Sequence, residues 1–265
     1  MARQKGLIRV KGLLGDISFY QSGGKDLMKT PGGASKEKIM TDPKFVRTRE
    51  NMSEFGGSAM VGKALRMGVI EVIGVFGGRY LPAELLGMFK KVCINGTGLR
   101  GQRDFEIVAN KLLISGFNFD KAKVLGAPFN APYTFVANAG RNETTFTVAD
   151  FNTTDYINAP EGATHFRLVG TASVLSDYKF IATSGKYEPV NAAIEGLNIV
   201  AYSGYIPIGG MVGSTTTVVA TIAVAPTMPT SAGLIGCIGI EFFQIVNTVY
   251  NLLNADNCMR IEDVF

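Results

Sequence analysis

The chain has 265 residues, of which 46% are hydrophobic and 18% charged, with 32 glycines; this is enough apolar material for a packed core and excludes disorder throughout. Its net charge of +4 is unevenly spread, because residues 1–100 hold 17 Lys and Arg against 8 Asp and Glu, whereas residues 101–265 hold 9 against 14. The two parts attract, and the 45 residues 196–240 carry no charge at all, so they must be hidden in the fold or against a neighbour.

In chain order, residues 7–29 read as short strands, LIRVKG, ISFYQS and DLMK, broken at Leu14-Gly15-Asp16 and Ser22-Gly23-Gly24, where glycine permits positive φ. So small a set of strands is marginal in water and needs a partner surface. After Pro31-Gly32-Gly33 the pattern turns helical. Thr41 or Asp42 serves as N-cap with Pro43 at the first position, KFVRTRENMSEF runs to a stop at Gly56-Gly57, a second helix covers Ser58 to Phe76, and a third covers Leu81 to Val92. GQRDFEIVANKLL is predicted as a fourth. From Gly116 strand signals dominate: PYTFVAN, ETTFTVADF, THFRLVGTASVL, NIVAYSGYI, TTVVATIAVA and LIGCIGIEFFQIV. In TTVVATIAVA, Val218, Ala220, Ile222 and Val224 alternate with Val219, Thr221, Ala223 and Ala225, so neither face carries charge and the outer face is expected to be covered, within the fold or by another subunit. The fold class is α+β, with a basic N-terminal β-hairpin arm over 1–34, a short helical region over 35–115 and an antiparallel β-sandwich, Ig-like or jelly-roll-like, over 116–265.

Chemical signatures are sparse. GTGLRG, Gly96 to Gly101, fits the G-x-G-x-x-G of a dinucleotide loop, but no further βαβ pattern follows, and a structural loop is the stronger reading. His165 is the only histidine, which rules out paired-histidine metal sites. Cys93, Cys237 and Cys258 lack the spacing of a zinc site or a disulfide framework and read as small buried hydrophobes. No catalytic, cofactor or metal residue is expected, and the chain is not read as an enzyme. The start MARQKGLIRVKG has no apolar stretch with a small-residue cleavage site, which points to a cytoplasmic assembly without a cleavable signal peptide, released by lysis or part of a virus-like particle. Proline and glycine interrupt the apolar run at 218–225, so no membrane span is expected.

The basic residues carry the functional reading. Arg3, Lys5, Arg9, Lys11, Lys25 and Lys29, with Phe19 and Tyr20, form a candidate subunit-interface arm, and Lys44, Arg47 and Arg49 form a basic helix. The same cations would suit a nucleic-acid backbone, a partner less favoured than identical subunits because Phe19 and Tyr20 are a thin stacking platform.

Four phrases, MARQKGLIRVKGLLGDISFY, DPKFVRTRENMSEFG, LRGQR and APEGATHFRL, together resemble a family of bacterial proteins of about this length that open on a similar basic ARQKG…GD…FY arm and carry no assigned activity. The resemblance covers most of the chain, carries over no catalytic or binding residue, and implies a bacterial or phage-related protein. The plan of arm, helices and sandwich is similar to that of capsid, tail-tube and filament subunits. The expected function is a non-enzymatic homopolymer subunit; the alternatives are a nucleic-acid-packaging coat subunit and a sandwich that binds protein or carbohydrate, for which Tyr133, Tyr156, Tyr178, Tyr187, Tyr202 and Tyr205 are available.

Overall fold

Residues 2–6, 9–30, 32–223 and 227–265 are described by the computed structural model, and the chain divides into two units, 1–49 and 50–265. The fold is mixed α+β with antiparallel sheets.

The first unit is built on β1 (Ala2–Arg3), β2 (Gly12–Leu14), β3 (Ile17–Ser22) and β4 (Lys25–Lys29), hydrogen-bonded in the order β1-β4-β3-β2. Two glycine turns make this possible. Gly15 has φ +55°, and Gly23 and Gly24 have +56° and +71°, values that match the right-handed twist of the strands they join. Of the predicted strand LIRVKG, Leu7 and Ile8 lie outside the described residues, and Arg9 to Lys11 are not in a strand. A short helix α1 (Lys36–Thr41) follows, its first turn capped by Ser35 Oγ, which accepts from the Lys38 N–H. The Asp42 carboxylate then accepts from the Lys44 N–H at 2.9 Å, and Pro43 opens a turn of 3₁₀ helix, as the cap signal predicts.

The second unit places α2 (Val46–Met67, continuous from the first unit), α3 (Ile70–Phe76) and α4 (Leu81–Asn95) before β5 (Tyr133–Ala137) and β6 (Glu143–Val148). A one-turn helix α5 (Thr153–Tyr156) leads to β7 (His165–Ser176), β8 (Tyr178–Ile181), β9 (Lys186–Pro189), β10 (Asn198–Tyr202), β11 (Ile206–Pro207) and β12 (Thr216–Thr221). The chain ends with β13 (Ala232–Val246), β14 (Val249–Leu252) and β15 (Cys258–Val264). β7 and β13 pair over their length, from His165↔Phe243 to Ser176↔Ala232, and are the centre of a six-stranded sheet. The three-stranded sheet β12-β6-β5 faces it, as in a β-sandwich, with Phe146, Val148 and Val218 packed on Phe166, Leu168, Ile238 and Phe242. On the opposite face Val169, Ile235, Cys237 and Ile261 meet Val61, Leu65, Phe76, Leu85 and Phe89 of the helices. Residues 232–240 are therefore buried on both faces, which hides the last nine residues of the charge-free segment inside one molecule, whereas the described residues of 196–231 are mostly exposed or half-buried. In β12 Val218 and Ala220 point into the core while Val219 remains exposed; Val224 and Ala225 of that predicted strand lie outside the described residues.

Two predicted boundaries are corrected. Gly56-Gly57 does not stop a helix, since α2 runs through it to Met67 and breaks at Gly68 instead. Gly57 is a notch: a methyl group there would lie 2.6 Å from the Tyr187 ring and 2.8 Å from Phe105, so its missing side chain is what lets these rings pack against the helix. Gly57→Ala is expected to lower unfolding stability by about 1–3 kcal/mol. Gly56→Ala, with nothing within 4 Å of its new methyl, should raise it by about 0.5–1 kcal/mol. Urea denaturation of the two variants checks the pair. The predicted helix GQRDFEIVANKLL is the second correction; it is turns and a 3₁₀ turn at Lys111–Leu113, because Phe105 exchanges both backbone hydrogen bonds with Tyr178 and the Asp177 carboxylate accepts from the Ile107 N–H.

Candidate functional site

The arm residues predicted from sequence fall on a two-faced sheet. Strand register puts Ala2, Leu14, Ile17, Phe19 and Met28 on one face, joined by Gln21 and Asp26, and puts Arg3, Leu13, Tyr20, Lys25, Leu27 and Lys29 on the other. The first face is apolar, with an open hollow of about 500 Å³ bounded by Ala2, Ile17, Met28, Lys29 and Thr30. Its one carboxylate, Asp26, is buried and paired with Arg9 at 2.8 Å. The second face carries cations and no carboxylate, and Lys29 Nζ lies 5.5 Å from the centre of the Tyr20 ring. Lys5 is exposed beyond β1, and Lys11 donates to the Gln21 side chain at 3.1 Å. Among the described residues of this unit no hydrophobic side chain is buried, and Leu13, Leu14, Ile17 and Val10 are exposed.

The basic helix has a different construction. Arg49 is spent locally, donating to the Ile39 and Asp42 carbonyls at 2.7 and 3.0 Å, while Lys44 and Arg47 are exposed.

The loop GTGLRG cradles a carboxylate of this same chain. Glu54 of α2 is wholly buried; Arg103 Nε and Nη2 each donate to it at 2.8 Å, Lys90 Nζ at 2.5 Å, and the Gly101 N–H at 2.8 Å. Burial alone pushes this carboxyl up, yet the bonds from Arg103, Lys90 and Gly101 outweigh it and hold the group at about 2. Packing explains the glycines: a side chain at Gly96 would strike the Asp104 carbonyl, and a methyl group at Gly101, where φ is +89°, would lie 2.9 Å from the Glu50 backbone. The backbone donor that a dinucleotide phosphate would need is already occupied. Elsewhere, Cys93, Cys237 and Cys258 are buried free thiols, pushed up by burial to about 11, 12 and 12. No group of three or more His, Cys, Asp or Glu is placed to hold a metal ion among the described residues, and no helix among them is long and apolar enough to cross a membrane.

The structure also sorts the tyrosines. Tyr178 and Tyr187 are buried in the core, Tyr133 donates to Glu262 and accepts from Arg260, and Tyr156 packs edge-on against Phe151. Tyr202 and Tyr205 instead converge with Tyr250, which sequence reasoning did not select, on the outer end of the six-stranded sheet. There the pairs Arg167↔Glu241 and His165↔Phe243 lie on one face, next to Val169 of the core under the helices. The Arg167 guanidinium sits 3.9 Å from the Tyr202 ring centre, 5.1 Å from Phe243 and 5.7 Å from Tyr205. Tyr205 and Tyr250 stack in parallel at 3.8 Å, and His165 meets Tyr250 edge-on at 5.1 Å. The alternation in HFRL was enough to place His165 and Arg167 on one face; nothing local in the sequence brings β14 beside them.

Comparison with protein-family models, with curated proteins and with solved structures found no match to the chain. The functional reading rests on geometry.

Proposed function

We propose that this chain is a non-enzymatic structural subunit that assembles with identical copies into a filament, tube or shell, with the N-terminal sheet exchanged between neighbours and an Ig-like or jelly-roll-like sandwich packed beside it. The observation that carries the reading is the first unit's sheet, four strands with one apolar face and no buried hydrophobic side chain. Such a sheet gains its stability from whatever covers it, at about 25 cal/mol per Å² of apolar surface removed from water. Charge supports a copy of the same chain as the cover: residues 1–49 hold 11 Lys and Arg against 4 Asp and Glu, residues 50–265 hold 15 against 18. A head-to-tail contact of that kind propagates whenever its rotation does not close.

One observation favours a second reading, a nucleic-acid-packaging coat subunit: Arg3, Lys25 and Lys29 share a face with Tyr20 and no carboxylate. Sedimentation and negative-stain microscopy of concentrated protein test the first reading, and the absorbance ratio at 260 and 280 nm of the sedimented particles tests the second. Regular polymers are expected. A uniform population of monomers at high concentration sinks the proposal.

A further inference from the structure

The shelf around Arg167 has features that its packing leaves unused. Glu241 is only 2% exposed, yet among the described residues its carboxylate has a single partner, the 2.5 Å bond from Arg167 Nε to Oε2. By contrast Glu54, equally buried, takes four hydrogen bonds. The contact between Arg167 and Glu241 is one-pronged. Glu241 Oε1 accepts no hydrogen bond and neither terminal nitrogen of Arg167 donates one, although a guanidinium and a carboxylate meeting face to face would use both pairs of atoms. The Arg167 side chain is 23% exposed and that of Glu241 2%, so a ligand approaches the pair from the guanidinium side. Around them Tyr202, Tyr205 and Tyr250 are 41%, 41% and 37% exposed, a high value for rings that already share contacts with one another.

We infer that this shelf is a carbohydrate-binding site, with the free edge of the Arg167–Glu241 pair holding neighbouring hydroxyls of a neutral sugar and the tyrosine rings packing against its C–H face. The choice of ligand follows from the charges. An anion drawn to Arg167 meets Glu241, and a cation drawn to Glu241 meets Arg167, so the pair discriminates against both. A hydroxyl both donates and accepts, so two adjacent ones satisfy the guanidinium donors and the carboxylate acceptor together. Tyrosine supplies a flat apolar surface with a polar edge, the combination that a sugar ring with one hydrophobic face requires. The site lies wholly on β7, β10, β13, β14 and the β10–β11 loop, and it does not depend on assembly through the N-terminal sheet.

The chain has nine tyrosines and no tryptophan, so its intrinsic fluorescence comes from tyrosine, and three of the nine emitters lie at this shelf. Full-length protein titrated with cellohexaose, maltohexaose, xylohexaose, mannohexaose and galactohexaose should show saturable quenching with at least one of them. Tyr202→Ala and Tyr250→Ala should each weaken that binding roughly tenfold, equivalent to about 1.4 kcal/mol, while Tyr202→Phe and Tyr250→Phe, which keep the ring, stay close to the parent. Glu241→Gln, which keeps the shape and removes the anion, should weaken it as well. Saturable binding by none of the five hexasaccharides overturns the inference, as does parental affinity in the two alanine variants, or displacement of the sugar by an unrelated peptide at equal concentration.

Discussion

Glu54→Ala should be the most destabilising single substitution on the surface of α2 that faces α4, costing about 3–5 kcal/mol in urea denaturation. The cost does not come from a lost attraction alone. Arg103, Lys90 and the Gly101 N–H would all remain, partly or wholly removed from water, with no anion to receive them. The same carboxylate fixes the acid limb of the stability curve. Its folded value, about 2, lies below the ordinary 4.5, so its stabilisation is complete above about pH 4.5 and drains away as pH falls toward 2. Asp177 works in the opposite direction, because burial pushes it up to about 6; the folded state then binds the proton more readily than the unfolded chain, and stability rises as pH falls through 6. Chemical denaturation across this range should find the maximum on the acid side of neutrality, followed by a fall below about pH 4.5 that is absent from Glu54→Gln. A fall below pH 4.5 of the same size in the parent and in Glu54→Gln would show that the network contributes nothing.

The second large effect is on assembly. Ile17→Glu combined with Phe19→Glu places two carboxylates on the apolar face of the N-terminal sheet without altering the alternation of β3. Each lost apolar contact is worth about 1.5–3 kcal/mol when fully buried, so the polymer contact should weaken by at least about a hundredfold, and particles should give way to monomers in sedimentation velocity. Ser18→Glu, one residue away on the cationic face, should leave assembly intact. Polymers of the double variant indistinguishable from the parent would mean that this face is not the contact, whereas loss of assembly in Ser18→Glu alone would move the contact to the opposite side of the sheet.

How much of this was legible in the sequence depended on the distance over which each feature is decided. The β3–β4 hairpin was readable because ISFYQS and DLMK flank paired glycines whose positive φ is a local requirement. The cap at Asp42-Pro43 was readable for the same reason. Gly56-Gly57 misleads because two glycines look like a stop, when the deciding fact is the arrival of Tyr187 and Phe105 from far along the chain. GQRDFEIVANKLL has the apolar spacing of a helix, but β-bridging at Phe105 and Tyr178 claims its backbone. In the candidate sites the arm residues were visible as a charge asymmetry, while their separation onto two faces required the register. The Arg167 shelf was half visible: Tyr202 and Tyr205 were among the candidates, but Glu241 reads in sequence as one charge closing an apolar run, and its meeting with Arg167 is set by the β7–β13 pairing.

The three sealed cysteines have a practical consequence. With each sulfur enclosed and its proton held far above neutrality, the native thiols are poor nucleophiles toward maleimide reagents in the folded protein. A single cysteine engineered at an exposed position such as Gly56 or Thr217 therefore becomes the reactive handle for a fluorophore or spin label, with the natural three left in place. Distances between labelled copies could then be followed as particles grow, on a molecule whose interior sulfur chemistry stays silent.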